Sequence, residues 1–331
     1  MARKRGEDMP QTAQDNLNKW AEYFTQLLND TNTLTANTPI SPADTDLDIS
    51  TEDFTETEFD KALRQCKLGK SPGTDAALRP ETLRFAGIGA QKQILRICNS
   101  VLNGYPPPWQ WTTNIIIPVP KKASAKYMDD YRGITLMSVA AKIYNRMLLN
   151  RIYDPVNSLL RPEQSGFRRG RSCIEQIHIL RRVMEGFHKK QLTLVSTFID
   201  FRKAFDSIDR GKIHEILRHY GIPPKITSAI MILYDKNKST VMIDGRMSTQ
   251  FYVTKGVLQG DTLAPFLFII VLDYILRQTE LGSYRVPTHQ DQILYDLDFA
   301  DDIVFFDNDA AADHVTCLQE STSSVGLNIN F

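Results

Sequence analysis

ILYDLDFADDIVFF, residues 293–306, sets two adjacent aspartates, Asp301 and Asp302, between two apolar runs. An apolar run, a tight polar centre and a second apolar run predict a β-hairpin with the aspartate pair at or beside its turn. Two carboxylates side by side repel one another when both are ionised, so the pair asks for a proton or a cation. A third carboxylate, Asp200, closes the β-branched and aromatic run Leu194–Ile199 and opens into FRKAFDSID. Strand-borne carboxylates so far apart in the sequence can meet only if their strands lie side by side in one sheet. That constellation suits two divalent cations about 3.5–4 Å apart, which clamp the attacking and leaving oxygens of a phosphoryl transfer. Oxygen-only ligands favour Mg2+ or Mn2+ over zinc.

The chain has 331 residues, 42% hydrophobic and 24% charged, long enough for one large domain or two modest ones with real cores. Lys+Arg and Asp+Glu both number 39, so net charge does not announce a nucleic-acid partner, but its distribution does. Residues 161–190 are rich in Lys and Arg, whereas 291–313 carry aspartates and no base. A basic track beside an acidic metal pocket is what phosphate-bearing strands and their cations require. The four cysteines, Cys66, Cys98, Cys173 and Cys317, are too scattered for a zinc cluster and read as reduced core thiols. No signal-peptide pattern is visible, and the apolar run Leu263–Leu272 is shorter than the roughly 20 residues a bilayer needs. An intracellular protein, nuclear or cytoplasmic and not secreted, is expected. The basic cluster Arg3–Arg5 reads as a solvated tail or a nuclear address.

Three patterns occur in order: F-x-D-F-x-K-A-F-D (Phe198 to Asp206), Q-G-D-x-L-x-P (Gln259 to Pro265) and F-A-D-D (Phe299 to Asp302). Together they resemble the palm motifs of reverse transcriptases, in the variant of non-LTR (LINE-type) retrotransposons. The resemblance implies an α+β right-hand polymerase fold, fingers plus palm, with an antiparallel palm sheet flanked by helices. It divides the chain into an N-terminal helix and linker (1–50), fingers (51–190) and a palm (191–331) that stops short of a thumb. An endonuclease that precedes the polymerase in the family is not seen, so the chain reads as a fragment. VGLNINF (Val325–Phe331) resembles the start of a segment whose downstream lysine donates a proton to pyrophosphate.

The implied activity is RNA-directed DNA synthesis: attack of a DNA primer 3′-hydroxyl on a dNTP, templated by RNA. Asp200, Asp301 and Asp302 are the implied catalytic and metal-holding carboxylates, with the carbonyl of Phe201 as a further ligand for two ions, Mg2+ or Mn2+. Lys121 and Arg132, on the two arms of a proline-bearing ribbon, would grip the triphosphate, with Lys122 the alternative to Lys121. Charge builds on the leaving pyrophosphate, and a planar guanidinium clamps phosphate bidentately. Phe205 would press on the sugar and exclude a 2′-hydroxyl, while Gln259 and Gly260 meet the nascent base pair. Lys70 in the loop Gly69–Asp75, and Arg168, Arg169 and Arg171 in EQSGFRRGRS, are expected on template phosphates, contacts that position without specifying sequence. Gly133, Thr262, Ala264 and Phe299 depart from the proline, proline, serine and tyrosine usual in the family. Two other readings stand beside this one: another palm enzyme, such as an RNA-dependent RNA polymerase or intron maturase, and a catalytically impaired RNA-binding remnant.

Local patterns add detail. Leu17, Trp20, Phe24, Leu27 and Leu28 share one helical face, and 29–48 reads as a linker. Thr55–Glu58 is a capping box. Leu136–Ile152 reads as a basic amphipathic helix, and in the helix after Arg171 the residues Ile174, Ile177, Leu180, Met184 and Phe187 form the expected buried stripe. DGR (Asp244–Arg246) marks a hairpin turn within 237–253, and Asp206 and Asp209 read as capping or surface groups.

Overall fold

The computed structural model describes residues 2–6, 8–29, 38–75, 78–279, 286–287, 293–307 and 312–330. Residues 30–37 of the expected linker lie outside the described residues. The N-terminal half carries α1 (Ala13–Asn29), α2 (Glu56–Gln65), α3 (Pro80–Phe85), α4 (Ile88–Leu102) and α5 (Trp109–Thr112). Strands β1 (Thr113–Pro120) and β2 (Tyr131–Leu136) follow, then α6 (Val139–Asn157) and α7 (Cys173–Lys189). The second half runs β3 (Val195–Ile199), α8 (Ala204–Ser207), α9 (Arg210–His219), α10 (Pro224–Met231), β4 (Lys238–Ile243), β5 (Arg246–Met247) and β6 (Phe251–Tyr252). It continues with α11 (Ala264–Gln278), a short ribbon of β7 (Val286–Pro287) and β8 (Ile293–Leu294), then β9 (Asp296–Phe299), β10 (Asp302–Asp307) and α12 (Ala312–Ser323).

Two sheets position the site. In the first, β1 pairs antiparallel with β2 and parallel with β4, and β4 also pairs antiparallel with β5 and β6. Only Thr113–Ile116 of β1 meet β4, so Pro118 and Pro120, which cannot donate to a ladder, fall where β1 has β2 alone beside it. The turn between β4 and β5 has Asp244 and Gly245 both at positive φ, +48° and +77°, the Asp-Gly chemistry that hairpins favour.

The second sheet has the order β3-β10-β9, antiparallel throughout. Period-2 alternation sends Ile199, Ile303 and Phe305 into the main core. The opposite face of β9 and β10 presents Leu297, Val304 and Phe306 to Phe187, Ile179, Leu180 and Val183 of α7.

The main core is built on α11 and α6. Eleven of the fifteen residues of α11 are buried, including Phe266–Leu272 without a break, which marks a helix apolar all round and enclosed on every side. The sequence reading of α6 as a basic amphipathic helix needs correction: twelve of its residues are buried. Arg151 does not face solvent but pairs with Glu58 at 2.6 Å, donates to the carbonyls of Ser50, Glu52 and Asp53, and lies over the Phe54 ring. Those partners hold Glu58, the capping-box residue of α2, against α6.

The apolar face of α1 packs on the first sheet, with Trp20, Ala21, Phe24 and Leu28 joining Ile116, Val241 and Val253. Gly133 allows this docking: a Cβ there would sit 2.6 Å from the Phe24 ring. Proline at that position would collide with α1, so the departure from the family pattern matches the helix that covers it.

In α7 the expected buried stripe is also corrected. Ile174 is 78% exposed, and Ile177 and Met184 are exposed as well. The helix instead turns Gln176, Leu180, Val183 and Phe187 inward. A polar residue lies in that stripe because Gln176 donates to the Glu163 carbonyl (2.9 Å) and the Ser165 hydroxyl (2.5 Å). All four cysteines are free; Cys98 is a buried thiol as expected, whereas Cys173 is exposed. Among the described residues no helix is long and apolar enough to cross a membrane.

Candidate active site

Pairing of β10 with β3 in the register Ile303 to Ile199 brings Asp302 opposite Asp200. Phe299 pairs with Asp302 across the hairpin, leaving Ala300 and Asp301 as its two-residue turn. All three carboxylates therefore line one cleft of about 1020 Å³, which Phe201, Phe205, Gln259, Gly260, Lys121 and Arg132 also line. Burial, then the charges of Asp301 and Asp200, hold the Asp302 carboxyl above the usual carboxylate range. That mutual repulsion is what a cation between them relieves. Among the described residues no three His, Cys, Asp or Glu side chains are already gathered closely enough to hold an ion. The donor chemistry is nonetheless right for Mg2+ or Mn2+: hard oxygens, no thiol and no imidazole.

Asp200 is also held by the end of the chain. Ile329 bridges Phe201, Arg202 N–H donates to the Asn328 carbonyl, and Asn330 N–H donates to the Asp200 carbonyl at 2.8 Å. The Asn330 amide donates to the Asp200 carboxylate at 3.1 Å and joins the cleft wall. No local sequence signal marked Asn330, because its role exists only through this long-range pairing.

On the opposite wall, Lys121 and Lys122 are placed differently. Lys122 pairs with Asp130 at 2.8 Å, holding that carboxyl well below its ordinary range, while Lys121 lines the cleft with Arg132. Lys203, at φ +52°, also reaches this wall, where its ammonium contacts the Tyr23 hydroxyl and pairs with Asp129 at 3.1 Å. Through Tyr23, Phe24 and Leu27, α1 is part of the cleft.

Phe205 stacks on Phe268 with ring centroids 4.6 Å apart and meets the edge of Phe167 at 6.0 Å. A ring wedged between two others is a rigid wall. Gln259 and Gly260 line the cleft, and their firm partners are protein groups. The Gln259 side-chain amide donates to Asp206 at 2.9 Å, and the Gln259 backbone carbonyl accepts from Thr135 N–H at 2.6 Å. Gly260, at φ +131°, lets that loop approach β2; a Cβ would lie 2.3 Å from the Thr135 carbonyl oxygen.

Asp209 caps α9 through Lys212 N–H, as the sequence suggests. Asp206 is corrected: it is neither a cap nor a surface group but part of the cleft wall. Burial pushes its carboxyl up to about 6 despite Lys203, Gln259, Lys121 and Arg132. A folded-state value above the unfolded one means the folded chain binds the extra proton, so ionised Asp206 costs stability as pH rises from about 4 to 6. Asp206→Asn, which can still accept from Gln259, should match the parent near pH 4 and be more stable by about 1 kcal/mol at pH 8. Urea titrations at both pH values check this; equal stability at pH 8 would contradict it.

The basic loop divides. Lys70 is exposed, and Arg169 lies over Tyr153 with its guanidinium half open to solvent. Arg171 is exposed and gives one bond to the Pro162 carbonyl. Arg168 is different. It is 9% exposed, and its guanidinium is occupied by Asn157 Oδ1 and by the carbonyls of Asn157, Arg161 and Gln164. The expectation of a template contact is corrected there: Arg168 knots the loop rather than presenting charge to a phosphate.

Behind the hairpin lies a buried ionic cluster that pattern reading missed. Arg161 donates to both oxygens of Asp296 at 2.5 Å, with Asp298 at 3.8 Å and Glu163 at 3.6 Å. Burial and the Asp296 charge raise the Asp298 carboxyl well above its ordinary range.

The family described as reverse transcriptase (RNA-dependent DNA polymerase) matches residues 119–331. Among curated proteins, the chain is 31% identical over 252 residues to the retrovirus-related Pol polyprotein from type-2 retrotransposable element R2DM of Drosophila melanogaster, covering 76% of this chain and 23% of that one. It is 28% identical over 218 residues to the probable RNA-directed DNA polymerase from transposon BS of Drosophila melanogaster, covering 64% and 24%. It is 28% identical over 246 residues to the RNA-directed DNA polymerase from mobile element jockey of Drosophila funebris, covering 71% and 26%. The chain thus spans about a quarter of the length of these relatives.

Proposed function

The chain belongs to the reverse transcriptase (RNA-dependent DNA polymerase) family of non-LTR retrotransposons, and on that premise we propose that it carries the catalytic core for RNA-directed DNA synthesis. The right-hand polymerase fold follows from membership, and the mixed helix and sheet architecture agrees with it. In this reading residues 1–50 are an N-terminal helix and linker, 51–190 act as fingers and 191–331 as palm, with α1 docked on the first sheet. One observation carries the proposal: antiparallel pairing of β3 and β10 sets Asp200, Asp301 and Asp302 in the same cleft as Lys121 and Arg132.

The chain's residues would divide the work by charge. Asp200, Asp301, Asp302 and the Phe201 carbonyl would hold two Mg2+ or Mn2+ ions, which supply charge neutralisation for the attacking and leaving oxygens. Lys121 and Arg132 would bind the triphosphate and stabilise charge developing on pyrophosphate. Exposed Lys70, Arg169 and Arg171 would take template phosphates, a sequence-independent term that salt weakens. RNA template, DNA primer and dNTP are the proposed partners, in the nucleus or cytoplasm of the host cell.

Primer extension on an RNA template, with Mg2+ or Mn2+ and with dNTP or rNTP, tests the reading. Metal-dependent DNA synthesis supports it; duplex binding with no synthesis under either metal would favour a binding-only protein. The rigid Phe205 wall adds a sharper expectation. Phe205→Ala opens room for a 2′-hydroxyl, so the dNTP-over-rNTP preference should fall by roughly tenfold or more. Competition between dCTP and CTP opposite a template guanine measures that ratio, and an unchanged preference removes Phe205 from sugar selection.

A further inference from the structure

Ala300, inside the F-A-D-D turn, takes φ +58°, the left-handed region that alanine rarely visits. Its backbone is buried, so neither its N–H nor its carbonyl can rely on water. Both are satisfied by one side chain. Gln164 Oε1 accepts from Ala300 N–H at 2.9 Å, and Gln164 Nε2 donates to the Ala300 carbonyl at 3.2 Å.

The side chain that does this is itself fixed. Gln164 is 3% exposed, and its Oε1 also accepts from Gly166 N–H at 2.7 Å. The backbone around it runs beside β9: Ser165 N–H donates to the Asp298 carbonyl at 2.9 Å, and Asp298 N–H donates to the Glu163 carbonyl at 3.3 Å. Gly166 completes the fit, because a Cβ there would lie 2.0 Å from Ala300 N. Glu163–Gly166 therefore behaves as an extra edge for the hairpin, continuing past its turn through a carboxamide that mimics a peptide group.

We propose that Gln164 is the positioning residue of the reaction centre: its carboxamide splints the Ala300 peptide in the left-handed conformation that aims Asp301 and Asp302 into the cleft. The inference rests on the polymerase reading for its consequence in catalysis, but the splint itself is a property of the turn. Glutamine meets the requirement because it offers one acceptor and one donor on a single planar group. Glutamate lacks the donor, and methionine of similar length lacks both.

The test separates the splint from general packing. Mn2+ affinity of the purified full chain, followed by water-proton relaxation, is measured for the parent, Asp301→Ala, Gln164→Met, Ala300→Gly and the Gln164→Met/Ala300→Gly double variant. Single-nucleotide extension is run in parallel. Gln164→Met should weaken the Asp301-dependent Mn2+ binding about tenfold and lower kcat by about 10- to 100-fold, with the dNTP KM within twofold, since misplaced carboxylates impair positioning more than ground-state binding. Glycine takes positive φ without a Cβ penalty, so Ala300→Gly should restore most of both losses in the double variant. A side chain that only filled space would not be rescued from position 300. Should Gln164→Met fail to fold, the double variant against Ala300→Gly alone still reads the effect.

Unchanged Mn2+ affinity in Gln164→Met, the absence of any Asp301-dependent Mn2+ site in the parent, or no rescue by Ala300→Gly would each overturn the proposal. A parent chain that binds Mn2+ through Asp301 yet extends no primer would count against the polymerase reading, while the same titrations still decide the role of Gln164.

Discussion

Asp301→Ala should lower metal-dependent primer extension by about 10³-fold without lowering the melting temperature of the metal-free chain. The two halves of this result come from the same geometry. Asp301 sits in the turn itself, beside Asp302 and across the sheet from Asp200, so its carboxylate is one of three like charges in a single cleft. In the absence of cations these charges oppose one another, which is why the Asp302 carboxyl is held up by Asp301 and Asp200 after burial. Removing Asp301 relieves that repulsion, so stability is kept or slightly raised. The same removal takes away a group aimed at charge that develops during phosphoryl transfer, and losing one such preorganised group costs roughly 10²–10³ in rate. Extension assays in Mg2+ and in Mn2+, paired with thermal melts in chelator, read both halves. A variant that still extends primer within tenfold of the parent would remove Asp301 from the catalytic set. A variant that loses activity only because it unfolds would instead assign it a structural role.

The largest effect on stability is expected at Arg161. Arg161→Met should destabilise the chain by about 3–5 kcal/mol at neutral pH, because breaking a buried ion pair strands the remaining charge. Here two carboxylates are stranded, Asp296 and Asp298, both fully enclosed beneath the catalytic hairpin. The loss should depend on pH with a definite sign. Burial and the Asp296 charge already raise the Asp298 carboxyl and the Arg161 charge opposes that rise, so without Arg161 the folded chain holds a proton there that the unfolded chain has released above about pH 4. Stability of the variant should therefore fall as pH rises from about 5 to 8, more steeply than that of the parent. Urea denaturation at pH 5 and pH 8 measures the difference. A loss below 1 kcal/mol, or one independent of pH, would mean the cluster is solvated or rearranges easily.

Much of this molecule was legible in one dimension. The hairpin around Asp301, the Asp244-Gly245 turn, the capping box before α2 and the short strand ending at Asp200 are local events. Each is decided within a few residues by periodicity or by turn and cap chemistry, so each can be read before the chain is folded. The requirement that two distant strands pair was legible as well, since isolated carboxylates on separate strands have no other way to share a cation.

Tertiary structure decided which neighbours those local elements meet. The inward face of α7 keeps Leu180 and Phe187 of the apolar stripe but takes Gln176 and Val183 in place of Ile177 and Met184, with Gln176 buried through its bonds to Glu163 and Ser165. Arg168 and Arg169 are adjacent and chemically identical, yet one is sealed by four oxygen partners and the other faces out. Lys121 and Lys122 are separated only by Asp130, Gly133 is explained only by the Phe24 ring, and Asp206 and Asn330 enter the cleft through contacts with Gln259 and Asp200. Local pattern determines backbone geometry because its causes lie within a turn or two of chain; desolvation and hydrogen-bond partnership depend on groups that only the folded chain brings together, from a few residues away at Arg168 to 130 at Asn330, and those separate a buried knot from a binding residue.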